Sequence, residues 1–64
     1  MKHKVSKAFI AAYNHGYTYR RAYPDKIGRI EELNKTASWF YDTPRLQGAF
    51  VSGWQVSQDA LHSS

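Results

Sequence analysis

The stretch GAFVSGWQVSQDA, residues 48–60, decides how this chain folds, because a variant of it stands earlier as AAYNHGYTYRRA, residues 11–22. Setting Ala12 on Ala49 places Tyr13 on Phe50, Gly16 on Gly53 and Tyr17 on Trp54, with Phe9 on Leu46. In each copy a small residue and a glycine stand four apart, so both fall on one face of a helix. A glycine inside a helix costs about 1 kcal/mol relative to alanine. Two such glycines, each followed by an aromatic residue, predict that the two helices approach closely there and face each other.

Working outward, Val5, Phe9, Ala12, Tyr13, Gly16, Arg20 and Tyr23 recur at intervals of three and four, with Ala8 and Tyr19 on the edge of that stripe. Lys4, Lys7, Asn14, Thr18 and Arg21 fall opposite, which gives an amphipathic helix with a basic outer face. Pro24 ends it, since a residue before proline avoids helical angles. Pro24 and Asp25 suit the first turn of a second helix, with Ile27, Ile30, Leu33 and Ala37 on its apolar face and Trp39 and Phe40 extending it. The YDTP segment, residues 41–44, marks the next boundary, where Asp42 or Thr43 can cap and Pro44 can take the first helical position. Leu46, Ala49, Phe50, Gly53, Ser57, Ala60 and Leu61 then share a face, Trp54 flanks Phe50, and HSS reads as a frayed tail. The prediction is an all-α domain spanning residues 1–64, with helices over about 5–22, 25–40 and 44–61. Two long helices pack through A-x-x-x-G elements and a shorter helix connects them.

Sixty-four residues hold one core. A core this small rarely nets more than ~3–5 kcal/mol, so a homodimer that completes it is one reading of the chain. The absence of cysteine excludes disulfides and thiolate zinc sites. His3, His15 and His62 show no metal-ligand spacing and read as structural or surface residues, so no metal or cofactor is expected. Glu31 and Glu32 are adjacent and do not share a helix face. Ser6, Ser38, Ser52 and Ser57 lack the glycine-rich elbow of a nucleophile, and no phosphate loop is present. These features predict a binding protein and no enzyme. The longest apolar run, AFIAAY, is too short to span a bilayer, and the N-terminus makes a poor signal peptide, so no membrane contact and a cytoplasmic location are expected.

The charge is uneven. Residues 1–29 carry seven basic side chains against Asp25, a net of +6, and the remainder carries two against four acids, a net of −2, which together give +4. A basic half points to an anionic partner, nucleic acid first. The segment YTYRRAYPDK, residues 17–26, interleaves Tyr17, Tyr19 and Tyr23 with Arg20, Arg21 and Lys26. Arginine forks suit phosphates and tyrosines can stack on unpaired bases, although Tyr19 and Tyr23 also lie on or near the core stripe. The residues expected to contact nucleic acid are Lys4, Lys7, Arg20, Arg21, Lys26 and Arg29, with Tyr17 as a stacker.

The chain at this point resembles the ribosome modulation factor family, through AAYNHGY early and QGAFVSGWQVSQDA late, the second following the proline turn YDTP. The resemblance covers about half the chain and puts Gly16, Tyr17, Phe50, Gly53 and Trp54 at shared positions. It implies a small, basic, cytoplasmic, non-catalytic helical protein that binds ribosomal or other structured RNA and modulates translation. Here the linker over residues 23–41 is longer than the family's, and Arg45, Gln55 and Gln58 stand where the family carries more arginine. That departure supports a second reading, a phage- or mobile-element-encoded module that inhibits or modulates a host protein. Its contact surface would be the outer face of helix three, assigned to Gln47, Val51, Ser52, Gln55 and Gln58.

Overall fold

The computed structural model describes residues 6–63. Three helices follow in order: α1 (Lys7–Ala22), α2 (Ile30–Phe40) and α3 (Pro44–Ser63). The all-α class with two long helices and a shorter one between them is as the sequence indicates. The boundaries differ in places, and each difference has a local cause. Ser6 is the N-cap of α1, its Oγ accepting from the Phe9 N–H at 3.1 Å, so the helix begins at Lys7 rather than near residue 5. It closes before Pro24, with the Tyr23 N–H donating to the Tyr19 carbonyl at 2.9 Å.

The start of α2 corrects the sequence reading. Pro24 and Asp25 do not open the helix. They sit in a turn in which the Lys26 N–H donates to the Tyr23 carbonyl at 3.2 Å. The Glu32 carboxylate then reaches back, Oε1 accepting from the Gly28 N–H at 2.8 Å and the Arg29 N–H at 3.3 Å. These bonds cap the helix at Arg29 and place negative charge at its N-terminus. The five residues released from the helix let Ile27 turn into the core. At α3 the expected boundary holds: Pro44 is the first helical residue, and the Thr43 hydroxyl lies 3.4 Å from the Leu46 N–H. The helix runs on through His62 to Ser63, so the expected frayed tail is helical to that point.

α1 packs on α3, and α2 packs on an adjacent side of α3. The Arg45 guanidinium lies over Phe9, the His15 ring meets Phe50, and the Arg20 guanidinium lies over Trp54. Early residues of α1 thus meet early residues of α3 and late meet late, so the two helices run in the same general direction. A parallel pair needs a return segment between its members, and the turn at 23–26 together with α2 supplies it.

Gly16 and Gly53 lie at the crossing, each against the backbone of the other helix. A Cβ on Gly16 would run into the Phe50 carbonyl oxygen, 2.8 Å from its carbon and 3.0 Å from the Trp54 nitrogen. A Cβ on Gly53 would meet the Tyr13 carbonyl oxygen in the same way, 2.9 Å from its carbon and 3.1 Å from the Tyr17 nitrogen. Ala12 and Ala49, one turn earlier in each helix, are buried. The molecule measures 38 × 27 × 16 Å, little more than one helix diameter thick in its shortest direction. Such a slab buries few side chains fully. The core is Ile27, Leu33, Ala37, Phe50 and Trp54, with Tyr19, Tyr41 and Val51 against it.

Candidate functional site

The residues expected to contact nucleic acid divide by placement. Lys7, Arg21, Lys26 and Arg29 are exposed, in the first turn of α1, the last turn of α1, the turn and the cap of α2. Lys4 lies outside the described residues. Tyr17 is half-buried and the Arg21 guanidinium sits 5.9 Å from its ring centre, so one partner of its π-face is already in place. Arg20 is withdrawn: its guanidinium lies 5.5 Å from the Trp54 ring centre, and its Nε and Nη1 are buried without a hydrogen-bond partner. Of the six described it is the worst placed for phosphate, and the best placed to cover the core edge with its stem.

A second set of side chains was not singled out from the sequence as a site. Tyr19, Lys26, Lys35, Thr36, Trp39 and Phe40 line an open groove of about 440 Å³ between α1, the turn and α2. Trp39, which the sequence reading placed on the apolar face of α2, is 75% exposed, and Ile30 and Phe40 are about half exposed. The helical repeat explains the correction. Trp39 lies two residues, some 200°, from the buried Ala37 and one turn from Lys35. That rotation was the available signal.

Beneath the groove lies an aromatic cluster centred on His15. Its ring packs edge-on against Phe40 at 4.8 Å and Phe50 at 5.0 Å between centroids, and Nδ1 shares a 2.8 Å hydrogen bond with the Tyr41 hydroxyl. Tyr19 joins through Phe40 at 5.8 Å and Phe50 at 5.6 Å. His15 therefore has the structural role expected of it, tying α1 to the corner between α2 and α3. Burial pushes the Tyr41 phenol above its ordinary value, because the phenolate would lose solvation there. Below pH ~10 the phenol is protonated folded and unfolded. Above it the unfolded chain gives up that proton first, so stability falls as pH rises through the raised value. In a phenolate absorbance titration of the folded protein, Tyr41 is expected to ionise late. Tyr41→Phe should lose about 1 kcal/mol near neutrality through the missing hydrogen bond. The melting-temperature gap to the parent should then narrow above pH ~10; a constant gap would contradict the assignment.

The surface of α3 also differs from expectation. Gln47 and Val51 are not on its outer face. The Gln47 Nε2 donates to the Tyr41 carbonyl at 2.8 Å, and Val51 packs against the core cluster. Because α3 touches two neighbours, its covered arc is wider than one stripe. Gln58 is half-buried, and the middle of the exposed face comprises Gly48, Ser52, Gln55, Val56 and Asp59, with Arg45 exposed before them and Leu61 after. Among the described residues no helix is long and apolar enough to cross a membrane.

Comparison of the chain with known protein families, curated proteins and solved structures gives no match.

Proposed function

We propose that this chain is a non-catalytic binding protein of the ribosome modulation factor type, which holds ribosomal or other structured RNA by its phosphates and so modulates translation. The observation that carries the reading is the segment from Arg21 to Arg29. It runs from the last turn of α1 through the connector to the cap of α2, and all of it except Ile27 is exposed, presenting Arg21, Lys26 and Arg29 against the one carboxylate of Asp25, beside an exposed Tyr23. Lys7 adds a cation at the far end of α1. The neighbouring carboxylate of Glu32 is turned to backbone N–H groups and is thereby occupied within α2. Phosphate contacts of this kind set position and affinity, and the shape of the RNA supplies the choice of site.

The test is the salt dependence of binding to ribosomal subunits and to a structured RNA fragment. Four phosphate contacts should give a log–log slope of roughly −3, steep enough to lose more than tenfold in affinity across a fourfold rise in salt. Binding that is indifferent to salt would overturn the reading.

The protein-interaction reading draws on one observation, the exposed face of α3. From Gly48 through Ser52, Gln55, Val56 and Asp59 the face carries no cation, the exposed Arg45 one turn earlier lying over Phe9, and Val56 with Leu61 gives it apolar surface, which suits a protein better than a phosphate backbone.

A further inference from the structure

We propose that the groove between Tyr19 and Trp39 is a seat for one unpaired nucleotide, the base stacking on Trp39 and its flanking phosphates meeting Lys26 and Lys35. This rests on the RNA-binding reading and adds to it a site with its own chemistry.

Three features select this occupant. The first is Trp39 itself. An indole three-quarters exposed on a helix leaves apolar surface in water in the free protein, and among the described residues it has a single ring neighbour, Phe40, at 6.4 Å and tilted 47°. It is not part of the His15 cluster, so its outer face is available for stacking. The second is the floor. Phe40 and Tyr19 pack on each other and on Phe50, which fixes them to the core, so the groove has a rigid aromatic base under a free aromatic wall. The third is charge. Among the described residues the ionisable linings other than the tyrosine are Lys26 and Lys35, and none is a carboxylate. A neutral apolar peptide would bury two ammonium groups without partners, which is costly. A nucleotide supplies both the flat π-surface and the anion. The volume, about 440 Å³, falls in the range of small-ligand sites. Lys26 comes from the turn and Lys35 from the middle of α2, so the cations stand on separate elements, as a strand passing over the groove requires.

The site reads an unstacked base, since a base inside a duplex offers its face to its neighbours and not to a protein. Single-stranded and duplex RNA must therefore respond differently to changes at Trp39, whereas contacts to phosphate alone treat both alike.

The experiment measures binding of a short oligouridine, an RNA duplex of equal length, and uridine monophosphate to the parent, Trp39→Ala and Trp39→Phe, with tryptophan fluorescence and sedimentation as readouts. Trp39 lies on solvent and alanine favours a helix, so both variants should fold, which circular dichroism checks. Oligouridine should quench the parent, and the quench should disappear in Trp39→Phe, where Trp54 alone reports. Trp39→Ala should weaken oligouridine binding by roughly 5- to 150-fold, the range for one stacked base, and leave duplex binding unchanged; Trp39→Phe should fall between. If Trp39→Ala binds oligouridine as well as the parent, the groove is not a base site, and the RNA-binding reading stands without it. If the parent binds neither RNA, both fall. Equal affinity for the mononucleotide and the strand would overturn the link to RNA and leave a free-nucleotide site. A change in sedimenting mass in Trp39→Ala, with RNA binding intact, would overturn the proposal in favour of a second copy seated on this face.

Discussion

Gly53→Ala should leave most of the chain unfolded at room temperature, and Gly16→Ala should do the same. Alanine ordinarily improves a helix by about 1 kcal/mol over glycine. Here the added methyl would lie on the backbone of the opposing helix, not on the end of a flexible side chain. Gly53 faces the Tyr13 carbonyl and Gly16 the Phe50 carbonyl, with further backbone atoms within 3.1 Å on both sides. Neither neighbour can rotate away, so α1 and α3 must separate along the crossing. Overpacking of this kind costs roughly 1–3 kcal/mol and at times more. Separation also opens the contacts of Phe50, which is fully buried, and of Trp54 over Arg20. The sum should exceed the gain in helix propensity and reach the roughly 3–5 kcal/mol that a core of this size supplies. Gly48 is the control. It lies in α3 with nothing within 4 Å of an added Cβ, so Gly48→Ala should raise stability by about 1 kcal/mol. Thermal melts followed by circular dichroism decide the matter. If Gly16→Ala or Gly53→Ala melts like Gly48→Ala, the helices do not meet at their glycines.

That crossing was the most legible part of the sequence, because four-residue spacing converts directly into a helix face and a central glycine needs a reason. The direction of the helices was not legible. The stripes of α1 and α3 are equally satisfied by parallel and antiparallel packing, and the pairs that decide between them, Phe9 with Arg45 and Arg20 with Trp54, join residues far apart in the chain. The start of α2 was hidden for a different reason. Pro24 and Asp25 fit a first helical turn as well as a β-turn, and the outcome was set by a side chain seven residues on, when Glu32 capped Gly28 and Arg29. His15 shows the same limit, since its main partner, Tyr41, lies 26 residues away. Among the expected contact residues, exposure followed position on the helix for Lys7 and Arg21. It did so for Arg20 as well, where the stripe and the charge gave opposite answers and the stripe prevailed, against the expected phosphate contact. Val51 became half-buried because α2 covers a second side of α3, which periodicity within one helix does not reveal. The groove at Trp39 could have been found by helical rotation alone.

Charge reversal separates the two functional readings with the largest change in binding. Lys7→Glu, Lys26→Glu and Arg29→Glu together should reduce affinity for structured RNA by two to four orders of magnitude. A unit charge about 4 Å from a phosphate is worth near 1 kcal/mol in water, and reversal replaces attraction with repulsion, so each site contributes about 2 kcal/mol before screening. The fold should survive. Lys7 lies in the first turn of α1 and Arg29 caps α2, so two of the three new carboxylates sit at helix N-termini, where negative charge is favourable. Lys26 is exposed in a turn. A partner protein held by α3 responds in the opposite sense. It should tolerate the triple reversal and be lost with Gln55→Glu and Val56→Asp, exposed positions where a new charge would be desolvated without a mate. Arg20 is left out of the reversal because its guanidinium covers Trp54, and a carboxylate there would confound binding with unfolding. Co-sedimentation with ribosomal subunits, measured for both variants beside the parent, gives the answer. Loss with the triple reversal alone places the contact on α1 and the connector; loss with the α3 variant alone would overturn the RNA reading and leave the exposed face of α3 as the working surface.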